Sequence, residues 1–209
     1  KQTVMTTVYG VTKYGAKLQI ARQLKDIDSF PFARVDEGAK YLADKTFDSL
    51  NEMFESSQKI QAWLTECANV ISGMYKKNVE WQTPLGLPVM QPYSKKSDRV
   101  IQSAFDTATF RDFSRVVKPN VLKQRNGFPP NFVHSLDSTH MMLTALYLWD
   151  RGCTFASVHD CYWTHAATVA EMNAECRRQF INLHSQPILE NLSESFMEKF
   201  LSLPVECEI

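Results

Sequence analysis

Ile60, Trp63, Leu64, Cys67, Ala68 and Ile71 recur at the i, i+3, i+4, i+7 spacing that puts them on one face of a helix. This stripe is the tightest constraint in the chain, because an apolar helical face needs a second apolar surface to cover it. Core packing is its role. Residues 33–55 also read as helix, and two more helices are expected near 168–184 and 187–202. Residues 1–9 suit a helix that Gly10 and Gly15 then interrupt.

Extended segments are fewer. Residues 79–82 and 87–93 flank Thr83-Pro84-Leu85-Gly86, a turn sequence that predicts a hairpin. Residues 94–121 are basic, aromatic and aperiodic, as an exposed loop or a long hairpin would be. Pro129-Pro130 is expected to break any structure before Asn131. Ser135 would then cap a helix over 136–151, with Asp137 favourable in its first turn and Gly152 ending it. Residues 154–158 read as a buried strand and 162–164 as its return, with His159-Asp160 at the tip. The expected class is α+β, mainly helical with a small antiparallel sheet.

Composition narrows the functional classes. The 209 residues, 44% hydrophobic and 22% charged, suffice for a sizeable core. No apolar run approaches the roughly 20 residues of a membrane helix, so no membrane association is expected. Cys67, Cys153, Cys161, Cys176 and Cys207 show neither CxxC nor another metal spacing, which argues against a zinc site or a disulfide framework. Net charge is zero, yet basic residues cluster. Residues 1–25 hold Lys1, Lys13, Lys17, Arg22 and Lys25 and no acid. Residues 95–125 hold eight basic residues against Asp98, Asp106 and Asp112. Such clustering suits a localised polyanion site, and equally suits solvated faces.

Two places carry candidate chemistry. Lys1, Met5 and Tyr9 are spaced by four, and such steps drift by only about 40° around a helix. A cation and a phenol on one face suit a nucleotide, and Gly10 allows close approach. By spacing alone, a solvated lysine and a packed tyrosine explain that face more simply. In Phe155-Ala156-Ser157-Val158-His159-Asp160-Cys161 an apolar strand ends in a carboxylate. A metal ion is a good partner for such a group, and an ordinary turn aspartate is the simpler alternative.

Four ordered blocks connect these places. Lys1-Gln2-Thr3-Val4-Met5-Thr6-Thr7-Val8-Tyr9-Gly10 resembles the second half of motif B of single-subunit RNA polymerases of the phage/mitochondrial type. Val158-His159-Asp160 resembles their motif C. Trp81-Gln82-Thr83-Pro84-Leu85-Gly86-Leu87-Pro88-Val89 and Pro130-Asn131-Phe132-Val133-His134-Ser135-Leu136-Asp137 resemble two intervening blocks. The resemblance covers essentially the whole chain, and Cys161-Tyr162-Trp163-Thr164-His165 is similar to the mitochondrial branch.

The resemblance implies a right-handed polymerase using two magnesium ions on two palm aspartates. Residues 1–134 would belong to the fingers, with a specificity loop at about 94–121, and 135–209 to the palm with the motif C hairpin. Lys1 would meet the incoming triphosphate and act as general acid for pyrophosphate. Met5 and Tyr9 would line the nucleotide site, Tyr9 beside the sugar, and His134 would help read the 2′-hydroxyl. Asp160 would bind metal. Arg111, Arg115 and Lys118 would meet DNA. His159 would orient the hairpin tip, and His140, His165 and His184 would be structural. Template DNA, RNA product, NTPs and mitochondrial transcription initiation factors are the implied partners, and the mitochondrial matrix the implied location.

Departures from the pattern shape the expectation. The motif A aspartate and the arginine that begins motif B would precede Lys1, and the aromatic C-terminal end is replaced by Glu206-Cys207-Glu208-Ile209. The chain is therefore expected to be the C-terminal part of a longer protein, inactive alone, with any targeting segment upstream. Asp137 is the carboxylate that would have to substitute for the missing one. A family A DNA polymerase shares the Lys-to-Tyr-Gly spacing and a His-Asp motif, but Met5 and Cys161 stand where those enzymes usually carry an aromatic residue and a glutamate. A non-catalytic nucleic-acid-binding module descended from a polymerase is the alternative from another class.

One prediction follows from Tyr9 alone. In the complete protein, Tyr9→Phe deletes a hydroxyl and keeps the ring, so it should relax ribose selectivity more than it slows ribonucleotide addition. Competition between rNTPs and dNTPs measures this, and an unchanged preference would remove Tyr9 from sugar discrimination.

Overall fold

The computed structural model describes residues 2–7, 11–95, 98–102, 107–111 and 118–201. Helices dominate: α1 (Gln2–Thr7), α2 (Lys13–Lys25), α3 (Val35–Met53), α4 (Glu55–Gly73), α5 (Val121–Asp150), α6 (Val169–His184) and α7 (Ile188–Phe200). Among the described residues three two-stranded antiparallel hairpins accompany them: β1–β2 (Glu80–Gln82, Pro88–Met90), β3–β4 (Asp98–Gln102, Thr107–Arg111) and β5–β6 (Ala156–Val158, Cys161–Trp163). Among the described residues no helix is long and apolar enough to cross a membrane.

The stripe on α4 finds its partner. Leu64, Ala68 and Ile71 pack with Val79, Trp81, Phe128, Phe132, Leu192, Phe196 and Phe200, so the main core joins α4, β1, α5 and α7. Phe128 is its centre, with rings of Trp81, Phe132 and Phe196 at 5.2, 5.8 and 5.9 Å. A smaller cluster of Leu24, Val35 and Ala39 joins α2 to α3, and Lys17 pairs with Asp36 at 2.7 Å across the same contact. Lys199 of α7 pairs with Glu80 of β1 at the edge of the main core.

The β1–β2 hairpin forms as its turn residues predict. Trp81 faces Val89 across the ladder. The Gly86 N–H donates to the Thr83 carbonyl at 2.8 Å, and Gly86 holds φ +82°, a conformation that favours glycine. Residues 94–121 are partly a hairpin: Asp98 pairs with Arg111 and Gln102 with Thr107. We call this segment the arm.

Three expectations need correction. Gly15 does not interrupt a helix but sits in the first turn of α2, where its N–H donates to the Thr12 side chain at 3.1 Å and completes the N-cap. The strand before His159 is shorter than 154–158 and is not buried, since Ala156 and Val158 are exposed.

The third correction is the largest. Pro129 and Pro130 lie inside α5, which runs unbroken for 30 residues from the Asn120 cap. Each proline removes one backbone donor and costs about 3 kcal/mol in a helix interior. Phe128 and Phe132 bracket the pair and are both buried, which returns roughly 1.5–3 kcal/mol each. Ser135 is therefore not a cap. Its hydroxyl donates to the Phe132 carbonyl at 2.6 Å and accepts from the Trp81 indole at 3.0 Å, locking β1 to the middle of α5. The C-terminus ends as expected: Gly152 at φ +68° closes a Schellman turn, with Cys153 N–H on Leu148 O and Gly152 N–H on Trp149 O.

Phe128→Ala should destabilise the fold by about 3–5 kcal/mol, and Trp149→Ala by under about 0.5, because the first opens a cavity and the second removes a solvated ring. Urea unfolding of both variants measures the difference. Comparable losses would displace Phe128 from the centre of the core.

Candidate functional site

Asp160 occupies the tip of β5–β6. Val158 pairs with Cys161, so the turn has two residues, His159 and Asp160. His159 holds φ +54°, a left-handed conformation that histidine tolerates better than most side chains. The Asp160 carboxylate is exposed, and the Cys161 thiol lies 3.7 Å from its Oδ1.

The hairpin is short and is held from below. Phe155 and Tyr162 pack edge to face at 5.3 Å against Leu148, Cys153 and Met172. The Tyr162 ring also lies 6.2 Å from His140 of α5, whose Nε2 donates to the Cys176 carbonyl at 2.8 Å. Thr164 donates to the Thr154 carbonyl at 2.6 Å and closes the base. Burial pushes the Tyr162 phenol up from its ordinary pKa, and the charges of Cys176, Asp137 and Asp160 push the same way. Asp137 and Asp160 thus act on one phenol, Asp137 from α5 and Asp160 from the hairpin.

A second anchor lies where α5 ends. Glu175 is fully buried in α6 and accepts from Arg151 at 2.6 Å, Arg178 at 2.8 Å and Gln179 at 2.6 Å. A buried carboxylate with three donors is satisfied, and removing its partners would leave an uncompensated charge. Sequence reading missed Glu175, because a glutamate on a polar helix gives no sign of burial.

His134 is exposed on α5 and lines a groove with Trp81, Asn131, Ser138 and Met142 beneath the β2 side of the first hairpin. Met5 is exposed on α1, which Thr6 ties to Gln19 of α2. Lys118 is exposed at the foot of the arm, and Arg111 lies on β4 opposite Asp98. Lys1, Tyr9 and Arg115 lie outside the described residues. The Asp160 hairpin is thus packed through Tyr162 against His140 in the middle of α5, about two turns beyond His134, while Lys118 lies at the foot of the arm.

The foot of the arm holds another arrangement invisible in the sequence. Gln91 and Gln124 are both buried and bond to each other at 2.8 Å. Gln124 Nε2 is also within bonding distance of Asn78 Oδ1 and the carbonyls of Gln91 and Tyr93, at 2.9, 3.0 and 3.0 Å. Asn131 donates to Gln91 Oε1 at 2.8 Å and to the Tyr93 hydroxyl at 3.2 Å.

Magnesium prefers six oxygen ligands, several of them water, and is usually held by one or two carboxylates together with substrate phosphates. Among the described residues no group of three or more His, Cys, Asp or Glu is placed to hold a metal ion. Asp160 is one carboxylate, so these residues do not by themselves make a magnesium site.

The whole chain has relatives. It is 54% identical over 208 residues to the DNA-directed RNA polymerase, mitochondrial, of Homo sapiens, covering 98% of this chain and 17% of that one. It is 52% identical over 204 residues to the Mus musculus protein of the same name, covering 97% and 17%. It is 48% identical over 209 residues to DNA-directed RNA polymerase 1, mitochondrial, of Nicotiana sylvestris, covering 97% and 20%. The chain thus spans about a fifth or less of these relatives. A family profile described as DNA-dependent RNA polymerase matches residues 1–207. A carboxylate at a braced hairpin tip, the four ordered sequence blocks and a match over nearly every residue agree: the chain belongs to the DNA-dependent RNA polymerase family.

Proposed function

We propose that this chain is the segment of a mitochondrial DNA-directed RNA polymerase that presents Asp160 to the reacting phosphates during templated nucleotidyl transfer. The observation that carries this reading is the exposed Asp160 carboxylate on a two-residue turn, beside a left-handed His159. A two-residue hairpin turn requires positive φ, and His159 supplies it, leaving the Asp160 carboxylate facing solvent at the tip. In this reading the complete family site uses two magnesium ions, and this chain contributes one carboxylate toward them.

Within this reading residues 1–134 belong to the fingers and 135–209 to the palm, with α5 spanning both. Lys1, Met5 and Tyr9 face the incoming nucleotide, and positive charge from Lys1 meets the charge that develops on the leaving pyrophosphate. His134 borders the nucleotide site from α5. The arm meets promoter DNA, where Arg111, Arg115 and Lys118 neutralise phosphates. Template DNA, RNA product, NTPs and mitochondrial initiation factors are the partners, in the mitochondrial matrix.

Two outcomes are expected of the complete polymerase. Asp160→Asn lowers nucleotide addition on a pre-assembled RNA–DNA scaffold by about a hundredfold or more, the scale set by loss of one preorganised charge-stabilising group. DNA binding and the unfolding midpoint stay close to those of the parent, and activity within tenfold of the parent would take Asp160 out of the reacting site. Charge reversal at Arg111 and Arg115 weakens DNA binding and lowers the salt slope by about one unit per lost phosphate contact. A titration from low to high salt reads this, and an unchanged slope would mean that both arginines face solvent.

A further inference from the structure

The arm leaves the body of the protein through two strands, at residues 93–95 and 118–120. They are joined by the Ser94–Pro119 bridge, by Lys95 N–H on Lys118 O at 2.9 Å, and by Asn120 N–H on Tyr93 O at 2.9 Å. The Tyr93 carbonyl also accepts from Gln124 Nε2 at 3.0 Å, so one oxygen ties the ascending strand to both the cap and the first turns of α5. Asn120 caps α5 through Lys123 N–H at 3.1 Å.

Below this foot the two central amides are buried and paired, with half-buried Asn78, Tyr93 and Asn131 around them. Gln124 and Gln91 have essentially no exposure. The Gln124 side chain reaches Asn78, Val79 N–H, Gln91 and Tyr93, and the Gln91 side chain reaches Gln124 and Asn131. Among the described residues no buried side-chain nitrogen or oxygen lacks a partner. Packing is equally tight: a Cβ on Gly127 would lie 2.8 Å from Tyr93 Cε2 and 3.1 Å from Gln91 Oε1. A main chain secured by amide side chains on one side and a glycine contact on the other has one available direction.

We infer that the buried Gln91–Gln124 amide pair is a positioning device that fixes the direction of the arm relative to α5, and so sets where the arm meets DNA. Neither glutamine touches nucleic acid. Both act through Tyr93 and Asn120, the residues from which the arm departs. This rests on the proposed reading of the arm as a DNA-contacting element. Helix α5 carries His134 and Asp137 on its middle turns and leads into the Asp160 hairpin. The amide pair therefore couples the arm's direction to the frame that holds the reacting end.

The test uses the complete polymerase and two assays: transcription from a promoter in duplex DNA, and extension of a pre-assembled RNA–DNA scaffold that needs no promoter. Four proteins are compared: the parent, Gln124→Met, an arm variant with residues 96–117 replaced by a short Gly-Ser linker, and the double variant. Gln124→Met keeps side-chain length and removes the amide. The expected result is a loss of promoter-dependent transcription of about tenfold or more with scaffold extension within about twofold, since displacing a recognition element by about 1 Å costs up to roughly a hundredfold. The double variant should be no worse than the arm variant alone, and hydrogen exchange at Lys95 and Asn120 should rise in Gln124→Met while α4 and α7 stay protected. Equal loss in both assays, no loss in either, or an effect that adds to that of the arm variant would overturn the inference. If the arm variant itself retains promoter-dependent transcription, the DNA-contact reading of the arm fails and the inference with it. Where Gln124→Met does not fold, Gly127→Ala presses on Tyr93 and on Gln91 Oε1 with both glutamines retained and is held to the same split between assays.

Discussion

Helix α5 persists only because two prolines are outweighed by what lies on either side of them, and most of the molecule is arranged around that balance. Phe128 and Phe132 enter the main core immediately before and after Pro129-Pro130. Trp81 packs on both rings and bonds to Ser135, so the first hairpin seals the stretch where the helical ladder is weakest. From the other side α4 and α7 close over the same rings. A proline pair tolerated in this way is a tertiary fact, since local propensity alone ends the helix there.

Two projecting hairpins hang from this one element. At its N-terminus the Asn120 cap and the Gln91–Gln124 pair receive the arm. At its C-terminus a Schellman turn reverses the chain, and Arg151 anchors it to buried Glu175 of α6. The Asp160 hairpin, with only three residue pairs in its ladder, then leans on Phe155, Tyr162 and His140. A short isolated hairpin is marginal in water, so the tip carboxylate owes its position to these neighbours.

Sequence periodicity recovered the elements whose stability is local in pattern. Helices α3, α4, α6 and α7 form close to where they are expected, α4 by its apolar stripe, and the turn Thr83-Pro84-Leu85-Gly86 announces its hairpin by proline and glycine placement. Asp160 stood out in the sequence because a carboxylate ending an apolar run is unusual, and the structure puts it on an exposed two-residue turn. What escaped was set by long-range contact. Ser135 resembles an N-cap until Trp81, 54 residues away, is seen to hold its hydroxyl. Gln91, Gln124 and Glu175 belong to residue types that usually face solvent, and only their partners across the fold reveal burial. Gly15 was misread because a glycine inside a cap and a glycine ending a helix look the same without the cap's hydrogen bond.

The length of α5 gives the proline pair a mechanical meaning. Thirty residues make a rod of about 45 Å. Turning such a rod by about 5° at one end moves the other by roughly 4 Å, more than the length of a hydrogen bond. Pro129-Pro130 lies near the first third of the rod, between the foot of the arm and the hairpin that bears Asp160. A substitution there would alter the angle between the two segments as well as the strength of the helix. The separation of the arm's foot from the Asp160 hairpin would then be graduated by two residues that belong to neither, much as a set screw fixes the reach of an arm.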